Sequence, residues 1–180
     1  MNSQSRIGVV AFLLFLGCVP LANWMIGHVG TVCVPSGPCL VPVAPGLMAP
    51  SGVLTVGFAL VLRDIVQRFL GRGWGLAAVL VGTALSVLVA GRDLVLASGA
   101  AFLLSELADF AVYTPLQRRG LVLAVVASAT AGLIVDSVMF LWLAFGSLDF
   151  LAGQVVGKAW AVLASLPAVH AARRLAPVPA

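Results

Sequence analysis

Charged side chains are scarce in this 180-residue chain: they make up 9% of it, whereas 62% of the residues are hydrophobic. Soluble globular domains are near half apolar and a quarter charged. Ten basic and six acidic side chains could not cover the surface of a water-soluble protein of this size. The composition therefore predicts a single membrane domain over residues 1–180, with no room for a second globular unit.

The sequence also lacks the short motifs of common enzyme classes, namely HExxH, GxSxG and the phosphate-binding GxxxxGK[ST]. Its two histidines, His28 and His170, fall on opposite sides of the predicted membrane and cannot share a metal site. The net charge is +4, but no basic run is interleaved with aromatic residues, so nucleic-acid binding is disfavoured. We expect a protein that is not an enzyme, with no metal, cofactor or nucleic-acid partner.

Apolar runs predict an all-α, polytopic membrane protein with a bundle of six transmembrane helices. About 20 apolar residues cross a hydrocarbon core of roughly 30 Å, and breaks with glycine, arginine or proline divide the chain into such runs. The predicted spans are residues 7–26, 52–70, 74–90, 94–113, 121–145 and 150–169. We expect residues 91–93 to separate the third and fourth spans, and Pro115, with Arg118, Arg119 and Gly120, to end the fourth.

The first apolar run has a second interpretation. Arg6 followed by apolar residues resembles a signal peptide, and Leu16, Gly17 and Cys18 resemble a lipoprotein cleavage site. The run is long, however, and five further spans follow it. We therefore favour a first helix that is retained in the membrane.

The arginines predict the orientation, because Lys and Arg concentrate in cytoplasmic loops. With six spans and a cytoplasmic N-terminus, only Arg92 lies outside. The arginines on the inner side are Arg6, Arg68, Arg72, Arg118, Arg119, Arg173 and Arg174. This distribution predicts a multi-pass protein of the inner (plasma) membrane with both termini in the cytoplasm, because an odd number of spans would scatter the arginines over both sides.

The first outer loop, residues 27–50, has no charged residue and is rich in proline. We expect it to be neither helix nor strand. Cys33 and Cys39 lie in this loop on the oxidising side of the membrane, so a disulfide between them is predicted; the alternative is two free thiols in a re-entrant apolar loop. Cys18 lies within a span and is expected to be a small packing residue.

Acidic residues interrupt the fourth predicted span. Glu106 and Asp109 are three residues apart and share one face of a helix, and Tyr113 continues that face one turn further on. Ionisable groups within spans are costly and by default mark a polar site that faces the bundle interior. We therefore take this face as a candidate binding site.

The fifth and sixth spans carry a second polar group. Asp136 and Lys158 lie near the middle of these spans, and Gln154 precedes Lys158 by one turn. Lys158 could pair with Asp136 and fix the register of the helices, or it could bind a ligand. Arg63 and Asp64 on the second span leave similar alternatives, because Arg63 could extend to the cytoplasmic interface with Asp64 as its partner.

The intramembrane acids outnumber the single lysine. Glu106, Asp109 and Asp136 therefore need protons, a cation or a ligand with N–H donors. A carboxylate accepts two parallel hydrogen bonds from an N–H/NH₂ edge such as that of guanine. The aromatic residues that could sandwich such a ring are Phe110, Phe140, Trp142 and Trp160.

Residues 105–113, Ser-Glu-Leu-Ala-Asp-Phe-Ala-Val-Tyr, resemble the fourth-helix motif of the queuosine-precursor transporter family, also called the VUT family. The resemblance continues through a double arginine and a set of residues in the fifth span, and residues 153–158 resemble the last helix of that family. The fifth-span residues are Ser128, Gly132, Asp136, Ser137, Phe140 and 144–146. Two departures are the proline-rich loop and Ala129, where the family pattern has asparagine.

The resemblance implies a six-helix inner-membrane protein that imports 7-cyano-7-deazaguanine or a related deazapurine. It also implies a bundle similar to the substrate-binding components of energy-coupling-factor vitamin importers. The expected substrate-binding residues are Glu106, Asp109, Tyr113, Asp136, Gln154 and Lys158. The alternatives are a vitamin-binding component that needs a partner ATPase, which the sequence does not indicate, and a membrane protein that does not transport.

Overall fold

A computed structural model describes residues 3–35, 37–90 and 94–175, which form six α-helices and one small β-sheet. The helices are α1 (Ser3–His28), α2 (Val53–Leu70), α3 (Arg72–Val89), α4 (Val95–Leu116), α5 (Leu121–Phe145) and α6 (Leu151–Arg173). Their bounds agree with the six predicted spans to within a few residues, because both follow the apolar runs. The predicted break at 91–93, with Arg92, lies outside the described residues.

Five of the described helices, α1 and α3 to α6, are long and apolar enough to cross a membrane. Helix α2 differs because its 18 residues include Arg63, Asp64 and Arg68. Arg63 and Asp64 are nevertheless fully buried, and α2 contacts all five other helices. The bundle therefore packs around a charged helix whose polar groups face inward.

Contacts between distant parts of the sequence define the two ends of the bundle. The side chain of Gln4 donates a hydrogen bond to the carbonyl of Leu175 at 3.1 Å, and Arg68 donates to the carbonyl of Gln117 at 3.4 Å. Gly8 near the start of α1 also lies against Leu70 at the end of α2. The start of α1, the end of α6 and the connections α2–α3 and α4–α5 therefore lie together, at what we call the arginine end. The opposite end, which carries residues 29–35 and 37–52, is the sheet end.

The connection between α1 and α2 contains three antiparallel strands in the order β1 (Val32–Cys33), β2 (Cys39–Ala44) and β3 (Leu47–Pro50). The prediction that this segment is neither helix nor strand is wrong. Two of its prolines fit a sheet because they lie where the regular ladder is interrupted. Pro45 lies in the turn between β2 and β3, and Pro42 lies at an irregularity in their pairing.

Cys33 and Cys39 are paired residues of β1 and β2, and they form a disulfide. The predicted bond is therefore present, and it ties the short strand β1 to the centre of the sheet. Cys18 is a free, partly buried thiol that packs beside the apolar cluster of Ala11 and Phe15. This position agrees with the packing role expected for Cys18.

Helix α4 runs through Pro115 and ends at Leu116, so it stops within the break predicted from Pro115, Arg118, Arg119 and Gly120. The hydroxyl of Thr114 donates a hydrogen bond to the carbonyl of Phe110 at 2.7 Å. The backbone N–H of Gln117 donates to the carbonyl of Tyr113 at 2.9 Å. Such local bonds sustain a helix around a proline.

The sheet lies against the sheet-end half of α6. A Cβ at Gly153 would overlap the carbonyl oxygen of Met48 in β3, so only glycine allows this close approach. Further along α6, the indole N–H of Trp160 donates a hydrogen bond to the carbonyl of Val43 at 3.1 Å. These contacts hold the sheet over one side of the bundle.

Candidate functional site

The ammonium group of Lys158 centres a hydrogen-bonded group with Asp136, Ser137 and Gln154, which we call the Lys158 network. Lys158 Nζ donates to Asp136 Oδ2 at 2.6 Å and to Ser137 Oγ at 2.8 Å. It also donates to Oε1 of Gln154, one turn earlier on α6. An ammonium group has three donors, so Lys158 is fully paired, and the contact predicted between Asp136 and Lys158 is present.

A partly enclosed cavity of about 70 Å³ adjoins the Lys158 network in the sheet-end halves of the helices. All six helices line it, and Pro50 of β3 contributes from the sheet. Phe102 and Phe140 supply aromatic surface within mostly apolar walls. The polar side chains on the lining are Asn23, Ser86, Ser98, Asp136, Gln154 and Lys158. An apolar pocket with a few convergent polar groups is typical of small-molecule sites.

The guanidinium of Arg63 centres a second group with Asp64, Gln67, Glu106 and Asp109, which we call the Arg63 cluster. Arg63 Nη2 lies 2.7 Å from Asp64 Oδ1 and also contacts Asp109 Oδ1. Its Nε lies 3.3 Å from Glu106 Oε2, and its Nη1 donates to Gln67 Oε1 at 2.8 Å. Arg63 therefore does not extend to the interface; it is a buried counter-charge for three acids.

Neutral groups complete the surroundings of the Arg63 cluster. The hydroxyl of Ser128 on α5 donates to Asp64 Oδ2 at 2.7 Å. The rings of Phe110 and Tyr113 lie 5.8 Å and 5.5 Å from Arg63 Cζ, within the range of cation–π contacts. Arg63 is thus held by ions on two helices and by two aromatic faces of α4.

The two polar groups adjoin each other along the pair of antiparallel helices α4 and α5. A Cβ at Gly132 of α5 would lie 3.1 Å from the Cβ of Asp109, so glycine permits the close approach of α4. Glu106 lies one turn nearer the sheet end than Asp109 on α4, and Asp136 lies one turn nearer that end than Gly132 on α5. A polar seam therefore runs from the cavity to the Arg63 cluster.

The structure divides the six predicted binding residues into two sets. Asp136, Gln154 and Lys158 line the cavity. Glu106, Asp109 and Tyr113 share a buried face of α4, as predicted, but they lie at the Arg63 cluster.

Only one of the four aromatic candidates lines the cavity. Phe140 does so, whereas Phe110 lies against Arg63. Trp142 and Trp160 are 60% and 55% exposed on the outside of the bundle. The predicted stacking role of the two tryptophans therefore does not fit this arrangement.

Several lining residues escaped the sequence reasoning. Ser86, Ser98 and Phe102 are ordinary residues in apolar helices, and no local pattern distinguishes them. Asn23 could have been predicted as a polar lining residue, because an amide within the first apolar run needs a hydrogen-bond partner. Its side chain donates to the carbonyl of Val19 at 3.0 Å. Gln67 also offered one, since it lies one turn after Arg63 on the same helix face.

The model of a family described as a putative vitamin uptake transporter matches residues 90–172. Curated proteins and solved structures give no match. The matched segment contains α4, α5 and nearly all of α6. All six predicted binding residues lie within it: three on α4, one on α5 and two on α6. Residues 90–172 are therefore similar to that family, in agreement with the resemblance of the motifs around Glu106 and Asp136.

Proposed function

We propose that this protein is a membrane transporter that imports a queuosine precursor, 7-cyano-7-deazaguanine or a related deazapurine. The observation that carries the proposal is the cavity lined by all six helices, with the Lys158 network on its wall. The family match supports transport, and the resemblance of the motifs in α4 to α6 supports the choice of substrate.

The chemistry of the cavity suits a neutral, planar ring with polar edges. Asp136 can accept hydrogen bonds from an N–H/NH₂ edge, while the ammonium of Lys158 can donate to a ring carbonyl if the ligand replaces Ser137 or Gln154 as its partner. Phe102 and Phe140 offer aromatic faces on the lining. Gln154 carries both donor and acceptor atoms and can serve either edge.

The proposal gives Asp136, Gln154 and Lys158 direct contact with the ligand, because they line the cavity. Glu106, Asp109 and Tyr113 lie next to this site, and their part in binding stays a prediction. Glu106 has the shortest route to the cavity, because it is one turn nearer the sheet end than Asp109. We therefore place it at the boundary between the ligand and the Arg63 cluster.

The direction of transport follows from the proposed location. We place the protein in the inner (plasma) membrane with both termini in the cytoplasm, on the evidence of the arginine distribution. The cavity lies in the half of the bundle near the sheet end, and the sheet end is then the outer side. A ligand would enter from that side, next to β3.

Binding of 7-cyano-7-deazaguanine to the purified protein tests the proposal by calorimetry, with uptake of the labelled compound into proteoliposomes as the second measurement. A hydrogen bond to a charged group is worth about 1.5–3 kcal/mol. Asp136→Asn should therefore weaken binding roughly tenfold or more. Asp149→Asn is the matched control, because Asp149 is exposed in the α5–α6 connection. Folded wild-type protein that binds no deazapurine would refute the proposed substrate.

The family description favours one alternative, a substrate-binding component of a vitamin importer. Such a component would bind a vitamin rather than a deazapurine, and it would need a partner ATPase for uptake. Calorimetry with a set of vitamins tests the ligand. Uptake by the protein alone in proteoliposomes would exclude dependence on an ATPase partner.

A further inference from the structure

The Arg63 cluster contains more negative than positive charge. Asp64, Glu106 and Asp109 all lie against one guanidinium. If all three carboxylates were ionised, the group would carry a net charge of −2. Arg63, Asp64 and Asp109 are fully buried and Glu106 is 2% exposed, so water does not offset that charge.

Lys158 and Arg68, two further cations in the described helices α6 and α2, have partners other than these three acids. Lys158 is paired with Asp136 and the two cancel. Arg68 reaches the carbonyl of Gln117 at the arginine end. The buried faces of α1 and α3, two helices described in full, contain no charged side chain. Neutral groups that contact the cluster include Tyr113, Gln67 and Ser128.

Two buried polar atoms provide a second observation. Within the described part of the chain, the hydroxyl of Tyr113 and Oδ2 of Asp109 are buried and have no hydrogen-bond partner. The ring of Tyr113 lies against Arg63, so its hydroxyl belongs to the same polar region. Buried polar atoms are normally paired. A carboxyl oxygen without a donor is a position at which a proton can be held.

Carboxylates that share a site cannot all ionise, because like charges at short range favour the protonated form of at least one of them. An unpaired charge in the middle of a membrane adds a further cost. One proton on the three acids would reduce the net charge of the cluster from −2 to −1, and two would neutralise it. The Arg63 guanidinium occupies the centre of the group, which leaves protons rather than a metal ion as the balancing charge.

We propose that the Arg63 cluster is a proton-binding site, which holds at least one proton at neutral pH and exchanges it when ligand moves through the adjacent cavity. The claim that this proton is exchanged during ligand movement rests on the proposed transport function. The polar seam gives it a physical basis, since Glu106 and Asp136 occupy corresponding turns of α4 and α5. A ligand that bonds to Asp136 or Lys158 changes the charge facing Glu106, and hence the proton affinity of the cluster.

Infrared spectroscopy of the purified protein tests proton binding without any ligand. A protonated carboxyl group has its own C=O stretching band, which shifts in D₂O. We expect this band in the wild-type protein at neutral pH. It should be lost or shifted in at least one of Asp64→Asn, Glu106→Gln and Asp109→Asn, and kept in the control Asp149→Asn. These amides have nearly the shape of the protonated acids, so the variants should fold.

A wild-type protein without the band, or a band unchanged in all three variants, would overturn the proposal.

Proteoliposomes provide a measurement that needs no variant. For one proton moved per ligand, an inward gradient of about one pH unit should raise the accumulation of 7-cyano-7-deazaguanine by up to roughly tenfold. A protonophore should abolish the gain, and uptake that ignores the gradient would overturn proton exchange. Absence of all deazapurine uptake would instead refute the proposed substrate, while the infrared band would still decide proton binding.

Discussion

Lys158 and Asp136 face each other from neighbouring helices at a depth where an unpaired charge is expensive. The single changes Asp136→Asn and Lys158→Met each leave the other group without its partner. We expect each to cost about 3–5 kcal/mol of stability. The double change leaves no unpaired charge, so it should recover folding while transport stays lost, because Asp136 lines the cavity.

A double-mutant cycle on thermal unfolding in detergent measures this coupling. Asp149→Asn is again a suitable control for the loss of one acid at an exposed position. Strictly additive effects of the two changes would show that the residues are energetically independent. Recovery of uptake in the double variant would show that the pair is only structural.

Arg63 and its three acids should respond unequally to substitution. Arg63→Gln removes the cation of the cluster and leaves its three acids without a counter-charge, which should cost at least about 3–5 kcal/mol. Asp109→Asn leaves Arg63 paired with Asp64 and Glu106, so its cost should be much smaller. Chemical unfolding of both variants in the same detergent gives the comparison. An equal or larger loss in Asp109→Asn would contradict this account of the charges.

At the scale of elements, the packing of the sheet on α6 depends on Gly153. The substitution Gly153→Ala places a methyl group where the carbonyl oxygen of Met48 lies, and a backbone atom cannot move aside without shifting β3. Overpacking of this kind costs typically about 1–3 kcal/mol. We expect lower thermal stability and faster hydrogen exchange in β2 and β3.

Gly17→Ala in α1 is the matched control, because a Cβ at Gly17 has nothing within 4 Å. It adds the same methyl group in a helix, with no atom to displace. We expect its stability and its exchange pattern to match those of the wild-type protein. A Gly153→Ala variant that is as stable as Gly17→Ala would mean that the sheet does not pack tightly on α6.

At the scale of the whole molecule, the seven arginines predicted to be cytoplasmic lie at the end of the bundle opposite to the sheet. The orientation of the protein in the membrane can therefore be tested by labelling each end. A cysteine at Arg119→Cys, at the arginine end, should react with a membrane-impermeant maleimide only after cells are permeabilised. A cysteine at Leu148→Cys, which is 40% exposed in the α5–α6 connection, should react in intact cells. Labelling of Arg119→Cys in intact cells would contradict the proposed orientation.

The sequence alone determined the number of helices, most of their ends and the interior position of Glu106, Asp109 and Asp136. The length of an apolar run and the spacing of acids along a helix are local properties, so they need no knowledge of partners. The same is true of the arginine distribution. Sequence also predicted the disulfide, because Cys33 and Cys39 had no other partner in their loop.

Only the tertiary structure decided which polar groups meet. The periodicity of α2 shows which face is polar but not which helix it faces, so the pairing of Arg63 with Glu106 and Asp109 of α4 could not be derived. Strand pairing in the loop was hidden for a related reason, since its prolines suggest irregular backbone until the positions of the turn and the bulge are known. The structure also shows that the polar residues form two groups, one beside the cavity at Lys158 and one around Arg63. This grouping depends on how the six helices pack, which involves contacts between residues far apart in the chain.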